Sequence, residues 1–301
     1  VLDGLTAALP AYTPSAQASR DANQRTFLSA EQPFIDQFRP FISAQTRAIT
    51  YDQTDQLEET DYTLFNAAVG MAGTLGNGMT LSFGIGTLSA EWQTGRNDFD
   101  IVGFYAGVVL GTRFGALDLN AGLGFGQLET EKSRAITSGG TAKAQFDSTF
   151  LTAHLGATRS FEVTGGAKLT AFGSLRYTRQ SDDGYTEGGS DADARVSDRV
   201  TDVTETILAL EFSHTLDFGG IATGRISAVS RNISGDDETR VTVFDQSAGL
   251  ASADVDFDGL RVGVGYEHSL AENAMLNLAA ECGMGDDGAG PNFTAGLVWT
   301  F

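Results

Sequence analysis

The chain has 301 residues, 41% of them apolar, and contains 37 glycines, 5 prolines and a single cysteine, Cys282. Its formal net charge of −20 argues against a nucleic-acid partner, because phosphate binding requires clustered Lys and Arg. One cysteine excludes an internal disulfide, and abundant glycine with little proline favours closely packed strands over helices or disorder.

The segment from Ser15 to Phe38, SAQASRDANQRTFLSAEQPFIDQF, lacks a regular alternation of apolar and polar residues. Its polar, Ala- and Gln-rich composition favours a helix, with Ser15 behind Pro14 in an N-cap position. Such a segment suits either a helix inside a polar lumen or a surface linker. We therefore place a domain boundary here, with residues 1–37 as a helix or linker and residues 38–301 as the main domain.

From about residue 38 the chain alternates apolar and polar residues in segments of roughly ten, each ended by Gly, Asn or Asp. A period of two predicts strands with one apolar face. We count about twelve strands, from a weaker one at 38–49 to the closing NFTAGLVWTF at 292–301. Taking every second residue, the apolar faces between them run through 65–71, 81–85, 102–110, 117–125, 151–157, 169–177, 208–212, 222–228, 260–266 and 276–280.

The breaks between these strands alternate in length. Tight turns are expected at 76–78, 115, 165–166, 219–220 and 272–273, and long polar connections at 50–59, 94–98, 131–143, 181–199, 234–252 and 286–291. Short turns on one rim and long loops on the other are typical of a transmembrane β-barrel. An even number of strands also places both ends of the barrel on the same side.

The faces opposite the apolar ones carry charges of both signs at mid-strand. Burying so many ions in a dry interior would be costly without complete pairing, whereas a hydrated lumen with the apolar faces in lipid avoids that cost. No run approaches the roughly 18 apolar residues of a spanning helix, so membrane residence would require a closed barrel. We therefore predict an all-β fold, a twelve-stranded antiparallel transmembrane β-barrel with the N-terminal helical segment in its pore. The charged side chains expected to line the pore are Arg39, Arg47, Arg176, Glu211, Arg225, Arg261, Glu267 and Glu281.

The three histidines do not predict a hydrolase. By parity His154 points into the lumen, where a serine and an orienting carboxylate would also be needed, and where neither lipid nor a large substrate would reach it. His214 and His268 continue the apolar faces at strand ends and suit a membrane interface. We expect no catalytic residue and no enzyme activity.

Acidic residues cluster in the predicted loops. Asp254, Asp256, Asp258 and Gly259 begin like a calcium-binding loop, but the twelfth position is Gly265 instead of an acid. The acids suit a solvated surface, with loose divalent-ion bridging near lipopolysaccharide as the alternative. No phosphate-binding, zinc or dinucleotide pattern is present, so we expect no metal site and no cofactor.

Three stretches then resemble a known family over about residues 38–301, the C-terminal translocator domain of Gram-negative autotransporters. They are YAGVVLGTRFG at 105–115, LRYTRQSDDGYTEGGS at 175–190, and the closing strand. The resemblance implies an outer-membrane, pore-forming anchor for type V secretion that carries its own N-terminal passenger to the cell surface. It also implies that residues 1–37 form the passenger junction, that outer-membrane lipid and lipopolysaccharide surround the barrel, and that the barrel is a monomer.

The closing strand is also similar to the signal that the barrel assembly machinery recognises in this family. A polar residue, a glycine and alternating aromatics occupy the corresponding places, namely Thr294, Gly296, Trp299 and Phe301. Such a strand must pair edge-on with a partner strand while presenting aromatics to lipid. The alternative to a translocator is a stand-alone porin for small solutes, with the N-terminal segment as a plug or tail.

Overall fold

The computed structural model describes residues 38–301 except 52–59, 76–77, 138, 164, 218, 237, 252–256 and 286–288. The predicted helical segment at 1–37 and the pair Asp254 and Asp256 lie outside the described residues. In chain order the strands are β1 (Arg39–Tyr51), β2 (Thr60–Thr74), β3 (Thr80–Thr94), β4 (Asn97–Phe114), β5 (Leu117–Ala135), β6 (Thr141–Glu162), β7 (Ala167–Asp182), β8 (Tyr185–Thr186), β9 (Arg195–Val196), β10 (Arg199–Thr215), β11 (Ile221–Gly235), β12 (Glu238–Val243), β13 (Gln246–Ala251), β14 (Phe257–Ala271), β15 (Ala274–Gly285) and β16 (Ala289–Thr300).

All of these strands except β8, β9, β12 and β13 form one closed barrel, so the prediction of a twelve-stranded antiparallel barrel is confirmed. Each strand pairs antiparallel with its neighbours, and β16 closes the ring by pairing with β1, from Phe41 opposite Thr300 to Ile49 opposite Asn292. Closure leaves no free strand edge within the ring, which is the condition for placing a sheet in lipid. Among the described residues, no helix is long and apolar enough to span a bilayer.

The apolar faces of the barrel strands point outward. Leu123, Leu155 and Val264 have between 58% and 64% of their surface exposed, and Trp299 is also exposed. Their polar neighbours along each strand are buried or half-buried on the inner face, as the pattern of β5 shows from Asn120 to Thr130. An apolar exterior around a charged interior is the reverse of a water-soluble domain, and it is what a hydrocarbon solvent requires.

The predicted tight turns lie together on one rim, which we call the short-turn rim. Glycines with positive φ occupy several of these turns, including Gly115 and Gly220. The opposite, long-loop rim differs from the prediction in two places. Residues 94–98 form a tight turn at Gly95 and Arg96, and the connection predicted at 131–143 is reduced to 136–140 because β5 and β6 continue through most of it.

Both differences have one cause. The strands β4 to β6 extend beyond the apolar band, and there their outward residues are charged, as at Asp98, Asp100, Glu131 and Lys143. A strand exposed to water on its outer face carries the same residue types as a loop, so its polar composition conceals the strand.

A second sheet, which we call the rim sheet, was not predicted. It consists of the short strands in the order β13, β12, β9, β8, and it stands on the long-loop rim, where Lys143 of β6 bridges Gly188 beside β8. The hairpin of β12 and β13 turns through Phe244 and Asp245, which both have positive φ. That conformation suits a two-residue hairpin turn, although an aromatic residue seldom adopts it.

The inner face is less polar than the sequence suggested. A cluster of buried apolar side chains covers the inner face of β2 to β6, and it includes Leu64, Leu88, Tyr105, Leu128 and Phe150. The charged inner residues lie mainly on the other side of the ring, from β7 through β16 to β1. The apolar cluster also reaches Phe172, Ile207 and Val229 on β7, β10 and β11, so the lumen wall is mostly apolar at β2 to β6 and mixed elsewhere.

Candidate functional site: the lumen of the barrel

Charges are divided unequally between the two faces of the barrel wall. Among the described residues of the barrel strands, the cations on the inner face are Arg39, Arg47, Arg113, Lys132, Arg134, Lys168, Arg176, Arg199, Arg225, Arg231 and Arg261. The anions on that face are Asp118, Glu162, Asp182, Glu205, Glu211, Glu267 and Glu281. The outer face of the same strands has the opposite excess, with cations at Lys143, Arg159 and Arg179 and anions at Asp61, Glu91, Asp98, Asp100, Glu129, Glu131, Asp147, Asp202 and Asp258.

Three of the inner charges form a buried cluster across β7, β10 and β11. Glu205 lies directly opposite Arg176 on one side and Arg231 on the other. Arg231 donates a hydrogen bond of 2.8 Å to the Glu205 carboxylate, and a guanidinium nitrogen of Arg176 lies 3.8 Å from the same carboxylate. Since removing one member would leave a buried ion without its counter-charge, the cluster ties three neighbouring strands together.

A recess in the inner wall collects charged residues from β10 round to β1. Arg47 donates a hydrogen bond of 2.9 Å from Nε to the amide oxygen of Asn292, and Glu211 stands opposite Arg225 in the β10–β11 register. Both signs of charge thus meet in one concave surface, whose charged lining residues are Arg47, Glu211, Arg225, Glu267 and Glu281.

Glycines on the inner face make room for large neighbouring side chains. The ring of His154 on β6 lies over Gly122 on β5, so that a Cβ at position 122 would stand 2.7 Å from Nδ1 and 2.9 Å from Nε2. Phe150 covers Gly126 in the same way. These glycines therefore provide space inside the barrel for the rings of the neighbouring strand.

A charged and aromatic cluster joins the rim sheet to the barrel wall. The Glu187 side chain is 1% exposed and lies 3.2 Å from Lys132 Nζ, while Arg134 donates two hydrogen bonds to its carboxylate. The backbone N–H of Ala194 donates a further bond of 3.1 Å to Glu187. Tyr185 stacks on Phe146 with ring centroids 4.7 Å apart.

Opposing effects act on the titration of Glu187. Burial raises its pKa, but the hydrogen bond from Arg134 and the positive charge of Lys132 lower the pKa further than burial raises it. The net pKa of Glu187 is therefore below the ordinary value of 4.5. At neutral pH Glu187 is an anion held by two cations.

The structure places all eight predicted pore residues on the inner face. Glu267 and Arg176 are buried, and the other six, Arg39, Arg47, Glu211, Arg225, Arg261 and Glu281, are half-buried. Sequence reasoning left Arg231 out of this set and did not predict that Glu205 pairs with it. The alternation along a strand predicts the face on which each residue lies. Which residues stand opposite each other depends on the register between two strands, and the sequence of one strand does not determine that register.

The remaining candidates also have defined positions. His154 is buried on the inner face, whereas His214 is exposed and His268 stacks on Tyr266 near the short-turn rim. On the closing strand, Thr294 and Gly296 face inward opposite Arg47 and Gln45 of β1. Trp299 and Phe301 face outward, with parallel rings 5.9 Å apart.

Comparisons with known proteins agree with this architecture. The profile of the autotransporter β-domain family matches residues 41–281 of the chain. No curated protein sequence matches it.

Among solved structures, the chain is similar to the translocator domain of the autotransporter NalP from Neisseria meningitidis, with 16% identity and a TM-score of 0.69, over 98% of this chain and 100% of that one. It is also similar to the β domain of the Bordetella autotransporter BrkA, with 15% identity and a TM-score of 0.62, over 88% and 100% of the two chains. The transport unit of the autotransporter AIDA-I from Escherichia coli matches with 11% identity and a TM-score of 0.56, over 96% and 100%. At these identities the structural likeness establishes the fold.

Proposed function

The chain belongs to the autotransporter β-domain family, and from that membership we propose which of its surfaces carry out export. It is an outer-membrane anchor and pore of a Gram-negative bacterium, and it serves to translocate an N-terminal passenger to the cell surface. The observation that supports the assignment within this chain is the reversed polarity of the barrel, apolar outside and charged inside.

The lumen is the surface that the exported chain passes. Of the eight predicted pore residues, the recess brings five together, and the half-buried side chains there keep water in contact with the path. A hydrated, charged path lowers the cost of moving a polar backbone across the hydrocarbon layer, since each unsatisfied backbone group in lipid costs several kcal/mol.

The closing strand is the surface that the assembly machinery reads. Its outward aromatics Trp299 and Phe301 stand at the short-turn rim, and its inner residues pair with β1 where the barrel closes. Aromatic side chains of this kind prefer the boundary between lipid and water. Lipid and lipopolysaccharide surround the outer face of a monomeric barrel in this proposal, and closure of the ring leaves no unpaired strand edge through which a second copy could extend the sheet.

The chain performs no chemistry of its own. His154, the one histidine on the inner face, packs its ring over Gly122 in the wall of the barrel. A substrate would have to reach it through the lumen. A change of His154 to Ala is therefore expected to leave export and the outer membrane's hydrolytic activities unaltered.

Surface display tests the export assignment. An epitope fused before Val1, behind a secretion leader, should be detected by antibody on intact cells when the full chain is present. Reversing Arg47 and Arg261 to Glu should reduce display while the barrel still folds, as judged by the mobility difference between unheated and heated samples on SDS gels. Reversing the outward Arg159 and Arg179 is the control and should leave display unchanged. Equal display from the lumen variant, the control variant and the parent would contradict a role for the lumen.

A second experiment tests whether the closing strand is recognised during assembly. Changing Trp299 and Phe301 to Ala should lower the amount of folded barrel in the outer membrane. Phe293 is a matched control because it is an outward, exposed aromatic on the same strand, but away from the rim. If Phe293→Ala lowers assembly as much as the double variant, the strand carries no positional signal.

A further inference from the structure

The inner face of the barrel has a sign of charge opposite to that of the whole chain. The protein has a formal net charge of −20, yet the described inner face holds eleven cations against seven anions, while the described outer face of the same strands holds three cations against nine anions. The separation is possible because inward-facing and outward-facing residues alternate along each strand, so the two faces can carry different charges. The positive excess of the lumen is therefore a local property that net charge conceals.

Ion pairing does not remove the excess. In the buried cluster one anion, Glu205, faces two cations, and at the long-loop rim Asp182 pairs with Arg199 at 2.6 Å. Arg113 pairs in the same way with Asp118 at 2.6 Å. Each one-to-one pair neutralises one cation and one anion, so pairing leaves the difference between eleven cations and seven anions on the inner face unchanged. When Glu187, which lies against Lys132 and Arg134, is added to the anions, the cations still exceed them by three.

Charges inside a barrel act at short range on whatever passes. The half-buried cations Arg47, Arg225 and Arg261 lie on the inner faces of β1, β11 and β14. The recess itself is lined by Arg47 and Arg225 together with Glu211, Glu267 and Glu281, so the excess of cations belongs to the inner face as a whole. Charges in a narrow path with low-dielectric walls act on passing ions more strongly than charges at an open surface. The acids of the outer face are separated from that path by the wall and by lipid or bulk water.

We propose that the lumen is anion-selective, so that small anions pass through the barrel in preference to small cations. Side chains of one sign along a pore attract counter-ions and exclude co-ions, and Arg or Lys residues of this kind select anions. This property goes beyond passenger export, and it concerns only the path that water and ions take.

Reversal potentials in planar lipid bilayers test the proposal. The full chain is inserted, a gradient of potassium chloride is applied, and the chloride-to-potassium permeability ratio is expected to exceed unity. The ratio should approach unity in concentrated salt, because the screening length falls from about 10 Å at 0.1 M to about 3 Å at 1 M.

Variants identify the charges responsible. The triple change Arg47→Gln, Arg225→Gln and Arg261→Gln should move the permeability ratio towards potassium. The opposite change, Glu211→Gln with Glu281→Gln, should move the ratio further towards chloride. Both variants are checked for folding by their mobility on SDS gels, and either one alone suffices if the other does not fold.

A matched control removes the same number of charges from the outer face. Lys143→Gln, Arg159→Gln and Arg179→Gln should leave the permeability ratio at its parental value. A potassium preference in the parent, no measurable conductance, or an equal shift in the control and the lumen triple would overturn the proposal. Passenger display is scored separately, so a barrel that exports normally without ion preference contradicts this proposal and leaves the export function intact.

Discussion

At the scale of single residues, small side chains decide where the inner wall can hold large ones. Gly122 accepts the ring of His154, and Gly126 accepts that of Phe150, each across one strand pair. The sequence showed that these glycines share a face, but not which ring covers each of them. That information depends on the register of β5 against β6.

The packing of His154 on Gly122 leads to a first prediction. The three atoms nearest to a methyl group at position 122 all belong to the His154 ring, so Gly122→Ala should lower barrel stability by about 1–3 kcal/mol, the usual cost of overpacking. Adding His154→Ala should restore most of the loss, because the obstructing ring is then absent. Unfolding in urea from detergent micelles or liposomes measures both changes.

A control is available on the neighbouring strand. Gly107 is also an inner glycine, but the nearest atom to a Cβ there is 3.4 Å away. Gly107→Ala should therefore leave stability nearly unchanged. The prediction is contradicted if Gly107→Ala costs as much stability as Gly122→Ala, or if His154→Ala does not restore stability. Either result would show that the backbone requires glycine at these positions, and that glycine does not serve to make space for the His154 ring.

At the scale of strands, the alternation of apolar and polar residues predicted correctly which side chains face outward, but it predicted the ends of the strands less well. The apolar faces identified from the sequence are the outward faces observed in β2 to β7, because a period of two assigns a face to every residue without knowledge of its partners. The ends of β3 to β6 were misplaced because their outer residues leave the apolar band and become charged. The strands β8 and β9 have two residues each, which is too short for any periodicity.

The rim sheet depends on contacts between distant segments, so the sequence alone did not reveal it. Glu187 and its partners Lys132 and Arg134 are about fifty residues apart, and only the fold brings them together. The resemblance to a family did mark the DGYTE segment around Tyr185 as a signature. The structure supplies the physical reason, since Tyr185 and Glu187 attach the segment to the inner face of β5 and β6.

This attachment predicts a dependence on pH. The pKa of Glu187 is lowered on folding, so its stabilising contribution is complete above the ordinary value of 4.5 and is lost as the pH falls through the lowered value. Acidification through the lowered pKa of Glu187, below the ordinary 4.5, should release residues 183–198 before the barrel unfolds. Cleavage by pepsin within this segment, followed as a function of pH, measures the release.

The Glu187→Gln variant tests the cause. Without the carboxylate the segment loses its ion pairs, at a cost on the order of 1–3 kcal/mol, and should be cleaved at a rate that no longer depends on this titration. Asp191→Asn is the matched control, because Asp191 lies exposed in the same segment. If the Asp191 variant loses the pH dependence and the Glu187 variant keeps it, the attachment is held elsewhere.

At the scale of the whole molecule, the reversed polarity determines both location and function. A closed ring satisfies the backbone hydrogen bonds of its strands internally, its outer side chains suit hydrocarbon, and its inner charges require water. These three properties together make the chain a membrane-spanning conduit. The fold class could be predicted from the sequence because each property produces an alternation of residue types along the strands. The concentration of lumen charges from β7 round to β1 appears only when the strands are placed in a ring.

The depth of the apolar band leads to the last prediction. Leu123 lies on the outer face of β5 between Leu119 and Phe125, within the band, whereas Gln127 on the same face lies beyond its end. An arginine on the lipid face costs about 2–4 kcal/mol near the bilayer midplane and about 0–1 kcal/mol near the interface. Leu123→Arg should therefore destabilise the barrel in liposomes by several times more than Gln127→Arg, as measured by guanidinium unfolding. Both changes place the same side chain on one face of one strand, at two depths, although one removes a leucine and the other a glutamine. Equal costs would mean that the band is not the part of the barrel that contacts lipid.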